Sequence, residues 1–580
     1  MKPLLQLKVS IKMSNKYTQL SQERKELQEK GLVPDWYITG GYQLFCDRYE
    51  YDTNGRSVRG QFERIAKTAS QHLKHIGKES IAYDKFFELL WKGWLSPSTP
   101  VLSNTGTNKG LPVSCAGNVI DDSVDGFYSS LREVAILTKQ GFGTASYLGL
   151  IRGRGAKIAD GGTASGVVPV FKMHVQMTRE VKQGNTRRGA WAGYLPIDHD
   201  DFDELCDHIH AEPDDANVGW NVSDDFVTKL NNNDPEALRR YQRALKLKMT
   251  TGRGYFFFPD KVNRHSPQMY RDLDLKVLAA QLCCEITLFS DVNHTYTCIL
   301  SSMNLAKYDE WKDTDAVFWS TVFLDCICEE FLTKARNMKG LEKAILFTEK
   351  GRALGLGMCG LHTYMQDNNI IFESLDAQFK MCEMMEVIQS ESKRATKWMA
   401  RELGEPEWCK GYGVRNTHTN TCPPTKSTAL IMGGVSEGIN PLPSSTFTQQ
   451  TAAGEVDRIN PSLVNVMRKK GVFNREEIEK IIDDNGSVQN CDWLDDHEKA
   501  VFRTAFEMNQ HTLLRYAAIR NKYIDQWQSM NLFIPADTPE EIISEIHEEM
   551  FNNEEIEGSY YIYTKSGYSH QAKLQCESCQ

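Results

Sequence analysis

Two adjacent cysteines directly precede a glutamate in the stretch QLCCEI, residues 281–286. A neighbouring carboxylate disfavours a thiolate, so Cys283 and Cys284 are poor candidates for a nucleophile of the protease type. Neighbouring cysteines rarely form a disulfide, and their spacing does not fit a zinc site. The pattern does suit a thiol that reacts as a hydrogen-atom donor or radical while Glu285 takes a proton. Two core cysteines beside a surface glutamate remain the simpler local interpretation.

The distant cysteines favour redox chemistry. Cys115 lies in LPVSC, Cys298 lies in TYTCIL, and Cys576 and Cys579 form a terminal CESC. A Cys-x-x-Cys pair is either a dithiol/disulfide couple or half of a zinc site. The sequence has no second Cys-x-x-Cys, which weakens the zinc interpretation, and we predict no metal site in this chain. On a mobile tail, the terminal dithiol could enter a site and reduce it.

Ten motifs in one order resemble those of a known enzyme family. They are STPVLSN, LPVSC, GFGTASYLGLIRGRG, NTRRGAWAGYLP, QLCCEI, CILSSMNL, ALGLGMCGL, PPTKSTALIMGGVSEGINP, YYIYTK and CESC. From about Ser96 to Gln580, the chain resembles the large, catalytic subunit of ribonucleotide reductase, most closely that of class I. The resemblance implies reduction of ribonucleotides, expected to be diphosphates, to deoxyribonucleotides.

The resemblance implies roles for the cysteines and the glutamate. The family's radical cysteine stands two residues before its catalytic glutamate, which selects Cys283 and leaves Cys284 as a packed neighbour. Glu285 would accept the 3′-hydroxyl proton as general base. Cys115 and Cys298 match the pair that supplies reducing equivalents and ends as a disulfide.

Three further catalytic roles follow from the resemblance. Cys576 and Cys579 would reduce that disulfide by thiol exchange, and thioredoxin or glutaredoxin would reduce them in turn. Tyr560 and Tyr561 match the pair that passes the radical to the reactive cysteine. No cofactor is expected to be bound covalently in this chain, because the radical would come from a separate, metal-containing small subunit. Gln281 stands where the family usually has Asn; because both are amides that donate and accept, the catalytic role of that Asn is expected for Gln281.

The resemblance also implies two nucleotide sites. Residues at a predicted helix N-terminus suit the substrate phosphates, because such an end presents free N–H groups. The expected substrate-binding residues are Thr99, Ser114, Pro424, Thr425, Ser427 and Thr428. ATP or a deoxynucleotide is expected as a specificity effector, held and sensed by Asp122, Ser123, Arg152, Arg187 and Arg188.

Three rival functions stay open. An adenosylcobalamin-dependent (class II) reductase shares the barrel and the cysteines but needs neither a small subunit nor a tyrosine pair, so YYIYTK argues against it. A glycyl-radical enzyme finds slight support in SGYSH near the end. A catalytically inactive nucleotide-binding regulatory subunit is supported only by Gln281.

The family fold positions these residues within a ten-stranded α/β barrel made of two parallel five-stranded halves, with the radical cysteine on an internal loop. We expect residues 1–95 to form a helical region without an ATP-cone, 96–565 the barrel, and 566–580 a flexible redox-active tail. Local patterns predict strands at KLKMTTG, GYFFFPD, TYTCILSSMNL and STALIMGG, and helices at DAQFKMCEMMEVIQSESKRATKWMARELG and DTPEEIISEIHEEM. DLKVLAAQLCCEI resembles a helix, or a helix plus a strand.

Composition limits the partners. The chain has 580 residues, a formal net charge of −10 and 15 cysteines. It has no long basic run of the kind typical of nucleic-acid binders, and no apolar run of the ~18 residues that would span a membrane. Cysteines scattered through a long chain without a signal segment indicate reduced thiols. We therefore expect a cytoplasmic protein, a homodimer by resemblance, with neither nucleic acid nor membrane as partner.

Overall fold

The structure is a computed structural model, and it describes residues 17–51, 56–159, 161–181, 183, 189–451 and 454–564. The described chain begins with helices, as predicted. Helix α3 begins after Ser57, whose hydroxyl accepts a hydrogen bond from the Gly60 N–H at 3.0 Å, and its apolar face includes the buried Phe62 and Ile65. The bounds are 17–29 (α1), Thr39–Leu44 (α2), Val58–Gln71 (α3) and Glu79–Trp91 (α4), with a π-helical turn at Phe45–Tyr49 and a 3₁₀ turn at Lys74–Ile76.

Five parallel strands form the first half of a barrel. Each strand pairs in parallel with the next along the chain, from β2 to β6. Parallel pairing requires long crossovers, and helices supply most of each connection. The strands are β1 (Leu95–Pro97), β2 (Cys115–Val119), β3 (Gly143–Tyr147), β4 (Trp191–Pro196), β5 (Asn217–Asn221) and β6 (Tyr255–Phe257), of which β1 lies outside this half.

The second half is also parallel but less regular. Strand β7 (Tyr296–Asn304) pairs with β8 (Leu354–Cys359). β8 then bridges to Asn420, and Cys422 bridges to Gln528, both in parallel. Finally β11 (Leu532–Phe533) pairs in parallel with β13 (Ile562–Tyr563). Within the described residues, these segments make five parallel strands like the first half.

Two antiparallel seams join the halves. β2 pairs with β7, and β6 pairs with β12 (Gly558–Ser559), which leads directly into β13. The sheet thus closes on itself and leaves no open edge between the halves. The prediction of a ten-stranded α/β barrel with two parallel halves is confirmed for the described part of the chain.

Helices surround the barrel and complete the chain. The central helix α14 is buried over most of its length and supports β7 and β8. No helix among the described residues is long and apolar enough to cross a membrane. The helices are α5 (Thr99–Asn104), α6 (Val124–Lys139), α7 (Val167–Glu180), α8 (Phe202–Ala211), α9 (Asp224–Asn231), α10 (Pro235–Thr251), α11 (Pro259–His265), α12 (Gln268–Asp272), α13 (Tyr308–Trp311), α14 (Ala316–Ala335), α15 (Glu342–Gly351), α16 (Leu361–Asp367), α17 (Leu375–Leu403), α18 (Lys426–Ile431), α19 (Pro461–Lys469), α20 (Arg475–Asp483), α21 (Asp496–Val501), α22 (Gln510–Asn521) and α23 (Glu540–Asn552).

A small second cluster lies beside the barrel. The hairpin of β9 (Thr446–Thr451) and β10 (Gly454–Ile459) leads into α19 and α20. Leu463, Met467 and Ile481 form the centre of a separate apolar cluster there. The predicted site residues that the structure describes lie outside this cluster.

Three local predictions are wrong. KLKMTTG forms the last turns of α10, where Tyr241, Ala244 and Leu247 are buried at helical spacing, and STALIMGG begins in α18. Short apolar runs do not distinguish a buried helix from a strand. The segment 276–290 is neither helix nor strand, because distant side chains and strands take its backbone hydrogen bonds. The strands at GYFFFPD and TYTCILSSMNL and the helices α17 and α23 are confirmed.

Candidate active site

The QLCCEI segment forms a tight loop inside the barrel. The Cys284 N–H donates to the Gln281 carbonyl at 3.0 Å, and the Gln281 N–H donates to the Ile286 carbonyl at 3.2 Å. Cys284 has a φ of 70°, in the left-handed region that residues with a Cβ rarely adopt. Cys283, Cys284 and Glu285 are all buried. The loop therefore holds these three side chains away from solvent.

Barrel strands hold this loop in place. The Tyr194 hydroxyl on β4 donates to the Gln281 carbonyl at 2.7 Å, and the Ser529 hydroxyl donates to the Cys283 carbonyl at 2.7 Å. The Trp527 N–H donates to the Glu285 carbonyl at 3.0 Å. Both halves of the barrel thus fix the backbone on either side of Cys283.

Glu285 is a buried carboxyl with few polar neighbours. The Gln281 side-chain amide donates to its Oε2, and the Ser529 hydroxyl lies 3.2 Å from the same oxygen. Burial raises the pKa of Glu285 to about 7, although both of these hydrogen bonds oppose the shift. A carboxyl with such a pKa can both accept and release a proton near neutral pH, which suits a general base.

Cys284 packs against the strand that leads to the predicted tyrosine pair. Its thiol lies 4.0 Å from the Phe256 carbonyl, and a Cβ on Gly558 would come within 2.9 Å of its sulfur. Gly558 therefore allows the loop and β12 to approach closely. Burial raises the pKa of the Cys284 thiol to about 12, so this thiol stays protonated.

Cys115 and Cys298 face each other across the β2–β7 seam. They are direct partners in the antiparallel register, and both are buried. Directly opposed residues have Cα atoms about 4.5–5.5 Å apart, within the range of about 4.4–6.8 Å that a disulfide spans. Burial raises the pKa of the Cys298 thiol. This pairing can form a disulfide without large backbone movement.

Tyr560 and Tyr561 form an aromatic cluster beside the loop. Their ring centroids lie 4.1 Å apart, and Tyr255 lies 5.1 Å from Tyr560 and 5.6 Å from Tyr561. The Asn217 amide donates to the Tyr561 hydroxyl at 3.1 Å. The buried Lys248 donates to the Tyr560 carbonyl at 2.8 Å. Two adjacent phenols are therefore held in a fixed position within the protein.

The predicted substrate residues fall in two places at the barrel. Ser114 precedes Cys115 and donates to the Ser98 hydroxyl at 2.7 Å, while Thr99 begins α5 and shares a 2.8 Å hydrogen bond with Tyr49. Thr425 immediately precedes α18, and its hydroxyl accepts a hydrogen bond from the Gly438 N–H at 2.8 Å. The remaining members, Pro424, Ser427 and Thr428, adjoin Thr425 or lie in the first turn of α18.

Three predicted effector residues meet at the start of α6. Arg152 Nε donates to Asp122 Oδ2 at 2.5 Å, and Ser123 caps the helix by accepting from the Gly126 N–H at 2.9 Å. These residues form a polar group outside the barrel. Arg187 and Arg188 of the predicted effector loop lie outside the described residues, as do Cys576 and Cys579 of the predicted tail.

Sequence reasoning missed four side chains that build the site: Tyr194, Lys248, Tyr296 and Ser529. Tyr296 had a usable signal, because it stands two residues before Cys298 in a predicted strand and alternate residues share a face. Ser529 and Lys248 gave none, since their partners are distant in sequence. Among the described residues, no group of three or more His, Cys, Asp or Glu side chains is arranged to hold a metal ion.

Family comparisons match most of the chain. Models described as "Ribonucleotide reductase, barrel domain" match residues 113–242, 236–411 and 406–561. A model described as "Ribonucleotide reductase, all-alpha domain" matches residues 39–110. Together they cover both the barrel and the helices before it.

Individual relatives agree with the family models. A protein of Frog virus 3 (isolate Goorha), named as a ribonucleoside-diphosphate reductase large subunit, is 30% identical over 85% of this chain and 89% of its own length. The ribonucleoside-diphosphate reductase large subunit of Vaccinia virus (strain Copenhagen) is 26% identical over 83% of this chain and 72% of its own. The class Id ribonucleotide reductase alpha subunit of Actinobacillus ureae superposes with a TM-score of 0.84 at 34% identity, covering 94% of this chain and 99% of that one.

Proposed function

Because this chain belongs to the ribonucleotide reductase family, we propose that it is the catalytic subunit that reduces ribonucleoside diphosphates to deoxyribonucleoside diphosphates. One observation carries the proposal at the level of residues. A closed barrel holds the Cys283–Glu285 loop inside it and places a cross-strand cysteine pair in the same wall. Radical chemistry needs such enclosure, because a thiyl radical must be kept from solvent and side reactions.

Each of these groups has a defined part in the reaction. A thiyl radical on Cys283 takes the 3′ hydrogen of the ribose, and Glu285 accepts the 3′-hydroxyl proton. The 2′-hydroxyl leaves as water, and Cys115 and Cys298 supply two electrons and two protons. The pair becomes a disulfide, the 3′ hydrogen returns from Cys283, and Glu285 returns its proton to the 3′ oxygen. Overall, ribonucleotide and dithiol give deoxyribonucleotide, water and disulfide.

The radical would enter through Tyr560 and Tyr561. The contact between Cys284 and Gly558 supports this route, because it joins the Cys283 loop to strand β12, which directly precedes the tyrosine pair. We propose that a separate small subunit generates the radical, as in class I enzymes, and that the large subunit acts as a dimer. Activity with adenosylcobalamin and no small subunit would instead identify a class II enzyme.

Re-reduction and regulation complete the cycle. Cys576 and Cys579 would reduce the Cys115–Cys298 disulfide by exchange, with thioredoxin or glutaredoxin as their reductant. The hydroxyls and N–H groups at Thr425–Thr428 would hold the substrate phosphates. The effector, ATP or a deoxynucleotide, would bind at Asp122, Ser123 and Arg152, with Arg187 and Arg188 relaying its identity. The Arg152–Asp122 contact supports this assignment, because it brings a cationic side chain next to Ser123 at the start of α6.

The decisive experiment compares the two adjacent cysteines. Deoxynucleotide formation is measured with the small subunit, an effector and a dithiol reductant. We expect Cys283→Ser to abolish product formation, because serine cannot form the radical, whereas Cys284→Ser keeps most of the activity. Full activity in Cys283→Ser would contradict the assigned mechanism. No product from the wild-type chain with any small subunit would favour an inactive regulatory subunit.

A further inference from the structure

Tyr296 has a buried phenol oxygen that no assigned role uses. The side chain is 1% exposed at the start of β7. Within the described part of the protein, its hydroxyl has no hydrogen-bond partner. Leaving a buried polar group without a hydrogen-bond partner destabilises the protein. A bound ligand that supplied the missing acceptor would remove this destabilisation.

The strand register places this phenol beside the cysteine pair. Along the β2–β7 seam, Gly117 is opposite Tyr296, and Cys115 is opposite Cys298. Alternate residues on a strand point to the same face of the sheet. The phenol therefore lies on the face that carries both thiols, one step further along the seam.

Gly117 fixes where the ring lies. A Cβ at this position would come within 2.2 Å of a ring carbon and 2.3 Å of the phenol oxygen of Tyr296. The ring thus covers the bare backbone of the opposite strand, and any larger residue at 117 would displace it. Gly117 and Tyr296 together form one complementary pair.

A second unsatisfied atom points to the same kind of ligand. Gln281 uses its amide N–H to bind Glu285, while its Oε1 is buried and lacks a partner among the described residues. Burial, together with the nearby Cys115 thiol and Glu285 carboxyl, raises the pKa of the Tyr296 hydroxyl, which therefore stays a donor. A ligand with neighbouring hydroxyls can accept from Tyr296 and donate to Gln281, and ribose is such a ligand.

We propose that Tyr296 donates a hydrogen bond to the 2′-oxygen of the bound ribonucleotide. This inference rests on the proposed function. The thiol pair delivers its electrons to the 2′ carbon, so the departing 2′-hydroxyl must lie close to Cys115 and Cys298, where Tyr296 is the adjacent donor. The phenol keeps its proton throughout and stabilises the oxygen as it leaves. Tyr296 would thus distinguish substrate from product.

Binding to the full-length chain tests the proposal without turnover. Titration calorimetry compares a ribonucleoside diphosphate with its 2′-deoxy counterpart, using whichever of ADP, CDP, GDP and UDP the wild type binds most tightly. Tyr296→Phe keeps the ring and removes only the hydroxyl. We expect it to weaken ribonucleotide binding about tenfold, as the loss of one hydrogen bond predicts, and to leave deoxyribonucleotide binding unchanged.

Two further variants make the result specific. Gly117→Ala displaces the ring and should reduce the same preference for the ribonucleotide. Tyr308→Phe is the control, because it removes a hydroxyl that binds Glu383 outside the barrel. This variant should bind both nucleotides as tightly as the wild type does. The proposal would be overturned if Tyr296→Phe weakened the binding of both nucleotides equally. It would also be overturned if neither Tyr296→Phe nor Gly117→Ala changed the binding of the ribonucleotide. If the variants give either result while the wild type makes deoxynucleotide, only the role of Tyr296 is refuted. If the wild type neither binds nor reduces ribonucleotides, the proposed function itself is refuted.

Discussion

The single residue whose chemistry the structure constrains most is Glu285. Its carboxyl is buried, and its pKa is raised to about 7 from an ordinary value of 4.5. The native state therefore binds this proton more tightly than the unfolded chain does. The protonated Glu285 carboxyl contributes fully to stability below about pH 4.5, and this contribution is lost as the pH rises through about 7. The carboxylate, which is the base in the proposed mechanism, appears as the pH rises through about 7.

Activity should follow the ionisation of Glu285. We expect kcat/KM for the ribonucleotide to rise with pH through about 7, because only the carboxylate can accept the 3′-hydroxyl proton. Steady-state rates across this range, with the small subunit saturating, provide the measurement. Glu285→Gln should be inactive at every pH. A wild-type profile that stays flat between about pH 6 and 8 would exclude Glu285 as the base.

Gln281 should tune that ionisation. Its amide donates to the Glu285 carboxylate and so lowers the pKa. Removing the donor in Gln281→Leu should move the midpoint of the pH profile upwards by about one unit, the equivalent of one hydrogen bond. Thr421→Val is the matched control, because the Thr421 hydroxyl binds the Glu285 backbone carbonyl at 3.0 Å and not the carboxylate. A midpoint that moves equally in both variants would show a general effect on the loop.

At the scale of elements, a buried lysine connects helix α10 to the segment that carries the tyrosine pair, between β12 and β13. Lys248 donates to the carbonyls of Gly254 and Tyr560 at 2.9 and 2.8 Å and to the Ser559 hydroxyl at 3.2 Å. These three acceptors match the three N–H groups of an ammonium. Burial lowers the pKa of Lys248 to about 7. The lysine therefore fixes the position of residues 559–560 through these hydrogen bonds.

Replacing this lysine should affect both stability and radical transfer. Lys248→Met leaves three acceptors without their donor, and we expect a loss of about 3 kcal/mol in the free energy of unfolding. Tyr560 would also shift, so kcat should fall about tenfold or more, since positioning errors of about 1 Å can have that effect. Denaturant unfolding and steady-state kinetics give the two readouts.

The chain offers a matched control for this experiment. Lys261 is also buried and donates to three carbonyls, those of Met550, Phe551 and Asn553 at the end of α23. Lys261→Met should cost comparable stability but leave kcat close to that of the wild type. A similar fall in kcat in both variants would show that Lys248 acts through stability alone.

The sequence predicted the elements whose signals are local. The period of α17 and the apolar run of β7 indicate their structures directly, and the cysteine motifs indicate the chemistry. The segment 276–290 could not be predicted in this way. Its backbone bonds to Tyr194, Trp527 and Ser529, which lie up to about 250 residues away, and such tertiary partners override local propensity. Lys248 was missed for the same reason, because its role depends on residues more than 300 positions later.

At the scale of the whole molecule, the barrel halves run in opposite directions and meet at the β2–β7 seam. Parallel pairs within each half need helical crossovers, whereas the seam is antiparallel and brings distant segments into direct register. The cysteine pair and Tyr296 both belong to this seam. The proposed redox centre therefore forms only when the two halves of the barrel close.

Repeated turnover should require the terminal thiols. A Cys576→Ser, Cys579→Ser double variant should form about one deoxynucleotide per active site and then stop with thioredoxin as reductant, because the Cys115–Cys298 disulfide would persist. Rapid-quench product counting measures the burst. A small dithiol that reaches the barrel directly should restore multiple turnovers. Unimpaired turnover of the double variant with thioredoxin would show that the tail is not the intermediate carrier.

A disulfide between Cys115 and Cys298 would also link the two barrel halves covalently. It would close a loop of about 180 residues, and the chain-entropy relation predicts a stabilisation of about 5 kcal/mol against unfolding. Each catalytic event would therefore leave behind a protein that melts at a higher temperature until its thiols are restored. A thermal melt of protein quenched after one round of substrate would then report the fraction of barrels that have reacted, with no nucleotide analysis at all.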